Sequence, residues 1–186
     1  MADDAVSRHL RSCEEFSAVV ARVGDRWSAP TPCPEWDARG LVEHVIGFHD
    51  VLLLRPMYLK PERPKNDPVA RWTVTHEAIT SALQGAGEAD LLAVPGMSTM
   101  TVVKLLPMLT SDVLVHSWDL ARAVGESVTS DPDLWEDAYE RALRNTAEME
   151  KSGMFGPPVP VDEDANPVTK LVALLGRDPR WEVPRE

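Results

Sequence analysis

Apolar positions recur at three- and four-residue steps over most of the chain, the period of amphipathic helices. Val6, Leu10, Cys13, Phe16, Val20 and Val23 mark a first helix from about Asp3 to Arg26, with Arg8, Arg11, Glu14 and Glu15 on its wet side. Trp27 to Trp36 holds three prolines and reads as a rigid connector whose two Trp side chains cap a bundle end. Asp37 then caps a second helix, Ala38 to about Leu54, with Leu41, Val45, Phe48, Val51 and Leu52 on its apolar face. His44 sits within that face and His49 nearer its edge. Arg55 to Pro68 carries four prolines and is a loop, either mobile or a lid. Val69, Trp72, His76, Ile79 and Leu83 predict a third helix, Val69 to Leu83. Gln84 to Thr99 is a long connection, with a short extended piece at Leu91 to Val94.

The stretch Leu105 to Val124 differs from these, because it is apolar almost all round and so predicts a buried helix. It starts between Ser98 and Thr101, Pro107 kinks it or marks its first turn, and Gly125 ends it. Between Leu105 and Ala121 the readily ionisable residues are Asp112, His116 and Asp119. At 3.6 residues per turn they fall within about 60° of one another, as one stripe. Asp131-Pro132 opens a further helix to about Lys151, with Leu134, Trp135, Ala138, Leu143 and Met149 inward. An extended segment follows from Gly153 to Asp162. Pro167 to Leu175 forms a short final helix stopped by Gly176, and Trp181 tucks the tail back. The sum is an all-α bundle of four main helices with long, proline-rich crossings.

At 186 residues, with no internal repeat or composition break, the chain is expected to form a single domain over 1–186. A net charge of −11 without a basic cluster excludes a nucleic-acid surface. No apolar run reaches the roughly 20 residues needed to span a bilayer, so no membrane role is expected. The acidic start, Met-Ala-Asp-Asp, lacks the features of a signal peptide. Cys13 and Cys33 are expected as reduced thiols in a cytoplasmic protein.

A buried carboxylate is costly unless paired, hydrogen-bonded or bound to a metal. Asp112 and His116 reach one ion from one helix face, and His44 is placed to meet them from the second helix. Two imidazoles and a carboxylate suit Zn²⁺, Ni²⁺ or Fe²⁺ with positions left for water or substrate. Asp119, one turn on, fits a supporting acceptor or a helix-end ion pair with Arg122. A buried polar cluster in which Asp112 accepts from His116 fits the same spacing. For His44, His49 and His76 taken singly, a hydrogen-bonded core histidine is the default.

The run Thr31-Pro-Cys-Pro-Glu-Trp-Asp-Ala-Arg-Gly-Leu-Val-Glu-His44 resembles the opening motif of the mycothiol-dependent maleylpyruvate isomerase N-terminal family, within the DinB-like superfamily. Asp112-Val-Leu-Val-His116-Ser-Trp-Asp119-Leu-Ala-Arg-Ala-Val-Gly125 resembles its second motif. The tail, Phe155 to Val161 with Leu171 to Trp181, is similar to a short, single-domain actinobacterial branch. The resemblance implies a DinB-like four-helix bundle with a divalent metal, zinc most often and nickel as the variant. Its ligands would be His44, Asp112 and His116. It also implies mycothiol as a thiol cofactor, and dimerisation through helix faces to a homodimer. Asp112 stands where the isomerase carries the longer Glu, and the isomerase's C-terminal sterol-carrier-like domain has no counterpart here.

Two functional readings follow. One is a metal-dependent, mycothiol-dependent S-transferase or isomerase acting on a small electrophile, with His49 and His76 as acid candidates. Arg39, Arg55 and Arg122 would then be cationic partners for the thiol. The other is a non-catalytic metal- or ligand-binding DinB-like module.

Overall fold

The structure, a computed structural model, describes residues 2–85, 101–128, 131–152 and 155–184. The extended piece expected at Leu91 to Val94 lies outside them. Every regular element among the described residues is helical. They are α1 (Ala2–Val20), α2 (Ala38–His49), α3 (Pro68–Gly85), α4 (Val102–Ala123), α5 (Pro132–Arg144), α6 (Thr146–Ser152) and α7 (Pro167–Leu174).

α1 and α2 each pack against both α3 and α4, which makes the four-helix body expected of a DinB-like protein. Its core is built from Phe16, Leu41, Leu53, Leu54, Trp72, Ile79, Leu105, Leu109 and Leu120, all buried. α4 then turns its other side, Leu114, Val115 and Trp118, to a second apolar cluster with Leu134 and Trp135 of α5 and Leu171 and Val172 of α7. A helix shared by two clusters has no wet face, which is why its sequence is apolar almost all round. Met108 is an exception, 44% exposed near its N-terminal end.

The elements depart from the hydrophobic pattern at a few places, each with a local cause. α1 ends at Val20, short of Arg26, because the chain turns at Gly24 with φ of +65°. Val23 is still buried, so the apolar spacing runs on through a turn that is no longer helix. α2 continues to Leu54, but its last stretch, Asp50–Leu54, is a π-helical turn. The wider turn leaves Leu53 and Leu54 in the core and Val51 52% exposed. α4 starts at Val102, with Thr101 as N-cap and Pro107 inside the helix. The helix expected to reach Lys151 breaks at Asn145 into α5 and α6, and Leu143 beside the break is 52% exposed. Met149 does pack on the second cluster.

The proline-rich segment after α2 is strapped down. Arg63 makes a fork to Asp50 at 2.7 and 3.0 Å and donates to Thr75 at 2.6 Å. Arg71 forks to Glu43 at 2.6 and 2.7 Å and donates to the Pro64 carbonyl. At the other end of the chain, Arg122 donates to the Trp181 carbonyl, so the tail does fold back.

Candidate metal centre

The loop before α2 is folded around Thr31. Its hydroxyl oxygen lies 2.8 Å from the Cys33 and Trp36 carbonyls and accepts from the Cys33 N–H. Asp37 caps α2 by accepting from Gly40 N–H at 2.7 Å. A Cβ on Gly40 would meet Trp36 at 3.3 Å, so glycine lets the indole lie against the first turn. The indole thereby stacks on His44, ring centroids 4.1 Å apart, and meets His116 edge-on at 5.7 Å.

Under that lid α2 and α4 bring three side chains together. His44 Nε2 and His116 Nε2 each lie 3.5 Å from Asp112 Oδ1, and one ligand atom from each residue falls within 4.8 Å of the others. Donors bound tetrahedrally at about 2.0–2.1 Å sit roughly 3.3 Å apart, so one small ion fits among them. Among the described residues, Asp112 Oδ2 is buried without a hydrogen-bond partner. An unsatisfied buried carboxylate oxygen costs folding energy that a cation would offset. The donor set and the orphaned oxygen both fit a divalent metal.

His116 is held from behind. Its Nδ1–H donates to Asp119 Oδ2 at 3.0 Å, which leaves Nε2 free to face Asp112. Asp119 is fully buried and receives Arg177 Nη2 at 3.1 Å. Burial disfavours the His116 imidazolium, but Asp112 and Asp119 outweigh it and raise the pKa to about 9. Burial likewise pushes Asp112 up, and His116 with His44 outweighs it and holds the carboxyl well below its ordinary range.

The other nominated residues lie elsewhere. His49 is fully buried, donates from Nδ1 to the Val45 carbonyl at 2.7 Å and faces His9 rather than Asp112. His76 is half-buried, stacked on Trp72 and hydrogen-bonded to Ser17. Arg122 spends its guanidinium on Trp181, and the ion-pair partner of Asp119 is Arg177. Arg39 and Arg55 are exposed. Spacing favoured Arg122 because it is close in sequence to Asp119. Arg177 is 58 residues away and is delivered by the turn after α7. The clefts at Arg8, Pro107, Thr110 and Asp137 and along Val159 to Arg180 are lined by none of the three ligands.

An all-helical, DinB-like body with a two-histidine, one-carboxylate cluster on facing helices defines the class, and the chain belongs to the mycothiol maleylpyruvate isomerase N-terminal domain family. That family's sequence profile matches residues 9–56, which carry α1 from His9 on, the Trp36 loop and α2. Among similar proteins are two from Mycobacterium tuberculosis, one in strain CDC 1551 / Oshkosh and one in strain H37Rv, both titled uncharacterized. Each is 30% identical over 198 residues, covering 95% of this chain and 100% of the relative. No solved structure matches significantly. No helix among the described residues is long and apolar enough to cross a membrane.

Proposed function

We propose that this protein is a divalent-metal-dependent enzyme that uses mycothiol as its thiol, as an S-transferase or isomerase on a small electrophilic substrate. The observation that carries this is the meeting of His44, Asp112 and His116 around an orphaned carboxylate oxygen, in a family associated with mycothiol. His44, Asp112 and His116 would hold the ion, zinc by preference and nickel as the alternative. A bound divalent ion lowers the pKa of a coordinated thiol, which supplies thiolate at neutral pH.

The protein's own groups set the conditions for that chemistry. Asp119 orients His116, and Arg177 donates to Asp119 from the turn after α7. The Trp36 indole shields His44 from water on its stacked face. Side-chain exposures of 25% at His44 and 18% at Asp112 against 6% at His116 leave the approach over His44 and Asp112. Asp112 stands where the isomerase carries the longer Glu, and both imidazoles come within 3.5 Å of its Oδ1.

Elemental analysis of untagged protein purified without chelator, beside His116→Ala, tests the site. The expected result is one equivalent of zinc or nickel per chain lost in the variant. Mycothiol consumption with a small electrophile should then fall by on the order of 100-fold or more in His116→Ala. Neither of the two clefts described above is lined by these three residues, which favours a second reading, a metal-binding module without turnover. It would give the same metal loss with no thiol consumption in either protein.

A further inference from the structure

We propose a second metal site in the core, where His9 and Cys13 of α1 and His49 of α2 would hold a soft d¹⁰ cation, Zn²⁺ or Cu⁺. It shares no ligand with the centre of His44, Asp112 and His116, and it does not depend on the function proposed there.

All three residues are fully buried, and one ligand atom of each lies within 4.8 Å of the others. His9 Nε2 is 3.2 Å from His49 Nε2 and 3.7 Å from Cys13 Sγ. For a tetrahedral ion with nitrogen at about 2.0–2.1 Å and sulfur at about 2.3 Å, the corresponding edges are roughly 3.3 and 3.6 Å. Two of the three edges therefore already stand at ligand spacing, and the third lies within 4.8 Å.

The hydrogen bonds behind the rings decide which nitrogens carry protons. His49 Nδ1 faces the Val45 carbonyl at 2.7 Å, and a carbonyl only accepts, so the proton is on Nδ1 and Nε2 presents a lone pair. Thr110 donates its hydroxyl to the Leu106 carbonyl at 2.8 Å. Its oxygen, 3.2 Å from His9 Nδ1, then accepts from that ring nitrogen, and His9 Nε2 also presents a lone pair. Two lone pairs facing at 3.2 Å repel unless a cation or a proton lies between them. Burial above all, with help from His49 and His76, pushes His9 well below its ordinary pKa, and burial lowers His49 too. Protonation is thus resisted, and neutral imidazoles are what a metal binds.

Cys13 supplies the soft ligand. Burial pushes its thiol pKa up, so without a cation it remains S–H. On binding, the S–H bond breaks, its electron pair forms the sulfur–metal bond, and the proton leaves to solvent. Three protein donors suit three-coordinate Cu⁺, or tetrahedral Zn²⁺ with one water added. Such a buried site ties α1 to the end of α2, and its binding energy adds to folding stability.

The chain has two cysteines, Cys13 and Cys33, so sulfur ligation can be assigned. Full-length protein is refolded anaerobically with Co²⁺ as the zinc stand-in or with Cu⁺, as wild type, Cys33→Ser, Cys13→Ser, His49→Gln and His116→Ala. A thiolate-to-metal charge-transfer band with either ion is expected in wild type, Cys33→Ser and His116→Ala. It should be lost in Cys13→Ser and His49→Gln. The His44, Asp112 and His116 centre has no sulfur and gives no such band. If a variant fails to fold, the Cys33→Ser spectrum alone decides, because Cys13 is then the only thiol. No band from either ion in Cys33→Ser would overturn the proposal. The His9 tautomer would then be the other one, with the Thr110 hydroxyl turned from Leu106 to His9 Nδ1 and His9 Nε2–H donated to His49 Nε2.

Discussion

Glu15 stands on α1 beside the Trp135 indole, whose N–H lies 3.2 and 3.3 Å from its two carboxylate oxygens. Helical spacing put this residue on the wet side of α1, and Trp135 of α5 covers it instead. Burial raises its pKa from 4.5 to about 7, against the opposing Trp135 hydrogen bond. A carboxyl with a folded pKa above its unfolded value is best accommodated protonated. Its contribution is full below about pH 4.5 and is lost as pH rises through 7. Glu15→Gln should therefore raise the melting temperature at pH 8 and leave it little changed at pH 4. The gain at pH 8 is on the order of 1–2 kcal/mol, allowing for solvent near the carboxyl. Thermal melts across this range check it, and an unchanged slope between pH 4.5 and 7 would remove Glu15 from the account. The residue scale also explains what spacing found and missed. Asp112 and His116 stood out as charged groups on an apolar stretch. His9 and Cys13 have the same four-residue spacing, but a histidine and a thiol in an amphipathic helix raise no such alarm.

At the scale of elements, function depends on how helices end. α7 stops at Leu174, and Gly176 takes φ of +82°, with Arg177 N–H bonding back to the Val172 carbonyl. A Cβ on Gly176 would come within 2.7 Å of the Gly156 backbone, where the extended segment crosses. That turn aims Arg177 at Asp119, and Asp119 orients His116. Gly176→Ala should cost about 2–3 kcal/mol through strain and crowding. It should also weaken metal binding about 10–100-fold through His116. Denaturant melts and metal titration measure both, and a stable variant with intact affinity would refute the coupling. The π turn after α2 is a second such device. It widens the helix by one residue, keeps Leu53 and Leu54 inward and presents Asp50 to Arg63. Apolar periodicity cannot register it, because the period is read from average helix geometry.

Across the whole molecule, α4 serves two apolar clusters, so damage to either should be felt by both. Leu120→Ala in the first and Leu171→Ala in the second each remove a fully buried side chain. Each should cost about 2–5 kcal/mol while a single cooperative transition is kept. Calorimetry resolving two transitions in either variant would show that the clusters melt separately.

The hydrophobic pattern by itself determined the helical class, the near-limits of α2, α3, α4 and α7, and the polar stripe on α4. Each follows from local rules, the helical period, proline, glycine and capping, that act within a few residues of chain. It also put His44 on the face that meets Asp112 and His116, because both helices are apolar on the sides that pack. Only the tertiary structure decided that His49 faces His9, that Arg177 rather than Arg122 supports Asp119, and that Trp36 roofs His44. It also left one oxygen of Asp112 without a partner. The His49–His9 and Arg177–Asp119 contacts join residues 40 and 58 positions apart. Their energies depend on which side chains share a desolvated space, and no periodicity along the chain carries that information.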